Sequence, residues 1–92
     1  LPNSVSVRII TFQLGKAASS VGANYRAFCR GRSFKEKYAK ICIVVEEADE
    51  VEFWLLNLQA LNFGDKEELV SLLNESLELI KVTSKLKSSL RQ

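Results

Sequence analysis

Histidine and methionine are both absent from this 92-residue chain. Without His there is no His-based catalytic triad, no His-ligated metal site and no imidazole general base. Two Cys are too few to build a zinc site alone or to staple a disulfide scaffold. One Pro and four Gly leave few chain breakers, which points to long uninterrupted helices. No apolar run reaches the ~20 residues of a membrane span. No charged and apolar signal-peptide pattern opens the chain. These absences exclude a membrane partner and set a cytoplasmic expectation. What remains is ordinary: 47% hydrophobic and 26% charged residues, the balance of a folded domain and not of a disordered segment. The length fits one domain over residues 1–92, or a piece of one. The opening Leu1-Pro2-Asn3-Ser4 lacks an initiator Met and reads as a linker entering a helix, so further residues are expected upstream.

Three helices are expected. The first runs from about residue 4 to 30, with Asn3 or Ser4 as N-cap. Val7, Ile10, Leu14, Ala17, Val21, Tyr25 and Phe28 recur at spacings of three and four and form one face. The small-residue run Ala17–Ala23 is expected to lie under a closely packed partner helix. Gly31 is the expected C′ residue. Ser33 and Glu36 then match a capping box that starts a second helix, about 34 to 62. Its inward face is Phe34, Tyr38, Ile41, Val45, Ala48, Leu55 and Leu58, with Val51, Trp54 and Leu61 beside it. Gly64 stops it, and Asp65 with Glu68 caps a third helix, about 66 to 90. Leu69, Leu72, Leu73, Leu79, Ile80, Leu86 and Leu90 point inward there, while Val44, Leu56, Leu77 and Val82 fall outside the stripes. Loops of two or three residues force antiparallel neighbours. The fold class is therefore an all-α, antiparallel up-down bundle of thin, rod-like shape. Its apolar faces are broad enough to call for a fourth helix or for partner subunits.

Charge is segregated along the chain. Residues 1–45 carry +7, residues 46–80 carry −9 and residues 81–92 carry +4, so the net +2 hides a strong asymmetry. Antiparallel hairpins at Gly31 and Gly64 bring Arg26, Arg30, Arg32, Lys35, Lys37, Lys40, Lys85, Lys87 and Arg91 to one end, against a single Glu36. Ordinary dipole complementarity accounts for Arg26, Arg30, Lys87 and Arg91 near helix C-termini. It does not account for Lys35 and Lys37 in the first turns of a helix. A local rule broken without visible compensation hints at function. The competing reading is a phosphate-binding surface, with Arg giving bidentate contacts and Lys point charges.

The acidic run Glu46-Glu47-Ala48-Asp49-Glu50-Val51-Glu52 places Glu46 and Glu50 on one face. Di-metal bundles pair such carboxylates with a His three residues on, and there is no His, so a ferritin-like di-metal centre is not expected and no cofactor is assigned. Salt bridging is the plainer role, with Glu47 level with Lys16 and Lys81. Cys29 and Cys42 are expected roughly 12 Å apart along the axis, beyond disulfide reach, as small core or interface residues. Tyr25, Tyr38 and Trp54 read as core, with Trp54 an anchor against another helix or subunit. No substrate pocket suggests itself, so the chain reads as non-enzymatic.

One series of residues carries a family likeness. It comprises Gln13-Leu14, Ala17-Ala18-Ser19, Ser20-Val21-Gly22-Ala23-Asn24-Tyr25-Arg26-Ala27, Arg30, Arg32-Ser33, Glu46-Glu47-Ala48-Asp49-Glu50 and Phe53-Trp54-Leu55. The chain thereby resembles the bacterial four-helix bundle proteins encoded in intervening sequences of large-subunit ribosomal RNA genes. That family includes the accessory protein of diversity-generating retroelements. The likeness is clear over about residues 5–62 and rests on helix pattern alone over 65–90. It implies an antiparallel four-helix bundle assembled into a five-fold ring, with no enzymatic activity. It implies nucleic-acid and reverse-transcriptase binding for the retroelement protein. The three helices here would be the family's second, third and fourth.

Two functions are carried forward. The first is a homo-oligomeric bundle, likened to a homopentamer, that binds RNA or DNA backbone through Arg26, Arg30, Arg32, Lys35, Lys37, Lys40, Lys87 and Arg91. The second is a protein-interaction scaffold in which the charged ends and the acidic stretch make subunit or partner contacts and nucleic acid binds only nonspecifically. Asn24, Tyr25, Glu46, Glu47, Asp49, Glu50 and Trp54 form the expected oligomer or structural motif. A carboxylate Mg²⁺ site stands third.

Overall fold

The structure, a computed structural model, describes residues 3–90, with side chains from Ser4. Three helices follow one another: α1 (Asn3–Cys29), α2 (Phe34–Ala60) and α3 (Lys66–Leu90). No strand occurs among the described residues. Each helix lies within two residues of its expected bounds. The expected N-cap is displaced, because Asn3 is already helical.

The turns are built by side chains and backbone that close the helix ends. Ser33 takes extended backbone, and its Oγ accepts from the Glu36 N–H at 3.1 Å. Glu36 reaches back so that its Oε2 accepts from the Arg32 N–H at 2.8 Å, completing the capping box. Asp65 caps α3, its Oδ1 accepting from the Glu67 N–H at 2.9 Å.

At the end of α2 the left-handed position belongs to Asn62 (φ 54°), followed by Gly64 (φ 81°). The Phe63 N–H donates to the Leu58 carbonyl at 3.1 Å and the Asn62 N–H to the Gln59 carbonyl at 3.0 Å. This is a Schellman closure with Asn at C′, so Asn62 stops the helix before Gly64 is reached. Ala at this position has no comparable tolerance of the left-handed region. Asn62→Ala is expected to cost about 1 kcal/mol, read as a lowered urea midpoint with unchanged slope.

Gly31 is not in the left-handed region, contrary to the C′ role expected of it. It is small for another reason. A Cβ there would stand 2.7 Å from the Lys37 Cγ.

α2 is the middle helix. It packs against both α1 and α3, while no Cα of α1 comes within 8 Å of a Cα of α3. Ile41, Val44 and Ala48 are completely buried as a result. A cluster of Ile10, Leu55, Leu58, Leu69 and Leu73 joins all three helices, with Leu14, Val51, Trp54 and Leu61 packed around it. The buried hydroxyls of Ser76 and Thr83 donate to carbonyls one turn back, at 2.8 Å each, so neither is left unpaired.

Several inward assignments need correction. Val44, left outside the stripe, is fully buried because α2 is covered on two sides. Phe34 (59% exposed) and Leu72 (40%) face outward. Tyr25 and Cys29 are exposed rather than core. Both cysteines are free thiols, with Cys42 half-buried. In the small-residue run Ala17 is buried, but a Cβ at Gly22 would meet nothing within 4 Å. The stretch is therefore closely covered at Ala17 and open at Gly22.

The rod measures 47 × 21 × 16 Å. Its accessible surface is 6407 Å², where a compact monomer of this mass exposes about 5,400 Å². Between α1 and α3 lies an apolar groove of about 270 Å³, lined by Val21, Gly22, Tyr25, Leu79, Val82 and Leu86, with Val44 and Thr83 at its sides. No helix among the described residues is long and apolar enough to cross a membrane.

Candidate nucleic-acid interface

The α1–α2 turn gathers positive charge into a concave site. Arg26 stands in the last turn of α1 and Arg30 just past its end, the Arg30 N–H donating to the Arg26 carbonyl at 3.2 Å, with Ala23 and Ala27 on the same face. Glu36 and Lys40 stand one turn apart on α2. Together with Gly31 these residues line a cleft of about 620 Å³. The two alanines and the glycine leave its floor open, so the longer charged side chains form its walls.

The other expected cations divide. Arg32 and Lys35 are exposed beside the cleft but do not line it. Lys37 is engaged: its Nζ donates to the Phe28 carbonyl at 3.3 Å and sits 5.1 Å from the centroid of the Phe28 ring. It adds a second, charged donor to a carbonyl at the end of α1 that also accepts from the Gly31 N–H at 3.2 Å, an interaction of about 0.3–1 kcal/mol. The absence of compensation inferred for Lys37 from the α2 dipole is thereby corrected, because the compensation comes from the preceding helix. Leu86 shares the apolar groove with Tyr25, so α3 returns toward this end and brings Lys85 and Lys87 with it. Arg91 lies outside the described residues.

The residues grouped as an oligomer motif do not form one site. The Asn24 side-chain amide donates to the Ser20 carbonyl at 2.9 Å and to the Ser20 Oγ at 3.1 Å, within its own helix. Tyr25 packs against Phe28 with ring centroids 5.9 Å apart. The neighbouring Cys29 side chain, one turn on, raises the Tyr25 phenol pKa above its ordinary value.

Glu47 and Glu50 line a second, polar cleft of about 180 Å³ with Gln13, Lys16, Ala17, Ser20 and Trp54. Lys16 and Glu47 thus line one cleft. Glu46 and Asp49 are exposed and take no part in that cleft. Among the described residues no three acids or thiols converge on a point that could hold a metal ion. Trp54 is half-buried against the core cluster and packs edge-on with Phe53, ring centroids 4.8 Å apart.

Sequence reasoning found the cations of the basic cleft but missed its floor. Ala23 and Ala27, one turn apart beside Arg26 and Arg30, were the signal available.

No known family's sequence model matches the chain. No curated protein matches it either. A solved structure does. It is a protein of unknown function from Bacteroides thetaiotaomicron, assigned to the S23 ribosomal protein family. It superposes with a TM-score of 0.81 at 28% sequence identity, over 87% of this chain and 71% of that one. The two proteins share a fold.

Proposed function

We propose that this protein is a non-enzymatic helical bundle that binds nucleic-acid backbone through the cleft at the α1–α2 turn. The observation that carries this reading is the convergence of Arg26, Arg30 and Lys40 on one concave surface. Arg32 and Lys35 extend the positive field beside it. Guanidinium forks suit phosphate oxygens, and nothing in the cleft resembles a device for reading base edges. The S23 ribosomal protein label of the similar structure is in keeping with a nucleic-acid partner.

The proposal includes an assembly. The helices run antiparallel, and a fourth helix covers the apolar groove between α1 and α3, next to the open position at Gly22. The resemblance to intervening-sequence proteins implies a five-fold ring, which would repeat the basic end once per subunit. The excess exposed surface favours a partner of some kind. A scaffold that binds protein alone is the second reading, supported by the same groove.

The test is binding of a structured RNA and a duplex DNA across a salt series, on protein whose mass in solution has been measured. Micromolar or tighter affinity near ~0.15 M salt is expected. The logarithm of affinity should fall by about 0.7–0.9 per phosphate contacted for each decade of salt. Absence of binding at low salt would leave the scaffold reading.

A further inference from the structure

We propose that the basic cleft recognises a sugar hydroxyl beside the phosphate, and therefore takes RNA in preference to DNA. This rests on the backbone-binding reading and narrows it. The cleft is not uniformly cationic: Glu36 lines it together with Arg26, Arg30 and Lys40. Nor is that carboxylate free to swing away. Its Oε2 accepts from the Arg32 N–H at 2.8 Å, while its own backbone N–H is held by the Ser33 Oγ at 3.1 Å.

A fixed carboxylate in a site for a bare polyanion only repels. It becomes complementary when the ligand offers a hydrogen-bond donor close to its negative charge, because an ionised carboxylate is an acceptor with several lone pairs to fill. A ribonucleotide has that arrangement, with a 2′-hydroxyl next to the backbone phosphate. The 2′-hydroxyl is also what distinguishes RNA from DNA at a given site. The cleft's volume of about 620 Å³ lies within the range of sites that hold a ligand of a few rings. Arg26, Arg30 and Lys40 hold the phosphate, and the remaining oxygen of Glu36 accepts from the hydroxyl. Arg32 and Lys35, outside the cleft, contribute equally for either sugar.

The experiment compares one single-stranded sequence made as RNA, as DNA and as 2′-O-methyl RNA, by fluorescence anisotropy at one salt concentration. RNA is expected to bind about tenfold more tightly than the other two. The deciding variant is Glu36→Gln. Its amide oxygen still accepts from the Arg32 N–H, so the cap is kept, and its NH₂ faces the cleft as a donor. All three probes should then bind more tightly, since a negative charge is gone, and the preference for RNA over 2′-O-methyl RNA should vanish. Equal binding of the three probes by the unmodified protein overturns the sugar preference and leaves backbone binding standing. A preference that survives Glu36→Gln overturns the role of Glu36. No binding of any probe at low salt overturns both.

Discussion

Replacing Arg26, Arg30 and Lys40 together with glutamate is expected to weaken RNA binding by about fiftyfold or more near ~0.15 M salt. Three single-strand phosphate contacts, each releasing ~0.7 of a counterion, account for that factor alone. Reversing the sign adds repulsion to lost attraction. The salt slope should flatten by about two units at the same time, a signature that general destabilisation does not produce. Arg26 and Arg30 are exposed and Lys40 half-buried, so helicity and melting should change little. The oligomer is the second readout. Loss of binding with an intact assembly supports the nucleic-acid reading. Loss of the assembly itself would mean that these cations hold subunits together, and the scaffold reading would take over. Glu substitutions at Arg32 and Lys35 make the comparison: both lie outside the cleft and should have the smaller effect.

Ile41→Ala should lower the melting temperature by about 10–25 °C at fixed protein concentration. Ile41 is completely buried in the helix that touches both others. Truncating such a side chain costs about 2–5 kcal/mol, because the lost burial is compounded by a cavity that its neighbours cannot fill. A domain of this size holds roughly 5–14 kcal/mol in all. One side chain therefore commands a large share of the whole. Phe34→Ala, also on α2 but exposed, is the control and should shift the midpoint far less. A shift for Ile41→Ala no larger than the control's would mean that α2 is not the covered middle helix.

Much of the fold is legible in the chain because helix signals are local. Ser33 with Glu36 three residues on, and Asp65 ahead of α3, announce helix starts; the structure completes the first as a box, while Asp65 caps through the Glu67 N–H. Val44 was harder. A stripe at spacings of three and four selects one face, whereas a middle helix is covered on two. The run Ile41-Cys42-Ile43-Val44-Val45 was the available clue, since every one of its residues is buried or half-buried. Gly31 and Asn62 show the opposite failure. Glycine after a helix suggests a left-handed cap, yet Asn62 takes that conformation at the end of α2, and Gly31 is small to let Lys37 pass.

The candidate site divides the same way. The chain by itself determined that the helices are long, where they begin, and that positive charge flanks the first turn, because those properties depend on residues close in sequence. Only the tertiary structure decided which cations face a common cleft. It turned Lys37 onto the Phe28 carbonyl, set Glu36 among Arg26, Arg30 and Lys40, and held α1 apart from α3 over an apolar groove. Those outcomes depend on how two helices rotate about their axes when they pack. That rotation is fixed by the sum of many side-chain contacts across the interface, which no short stretch of sequence contains.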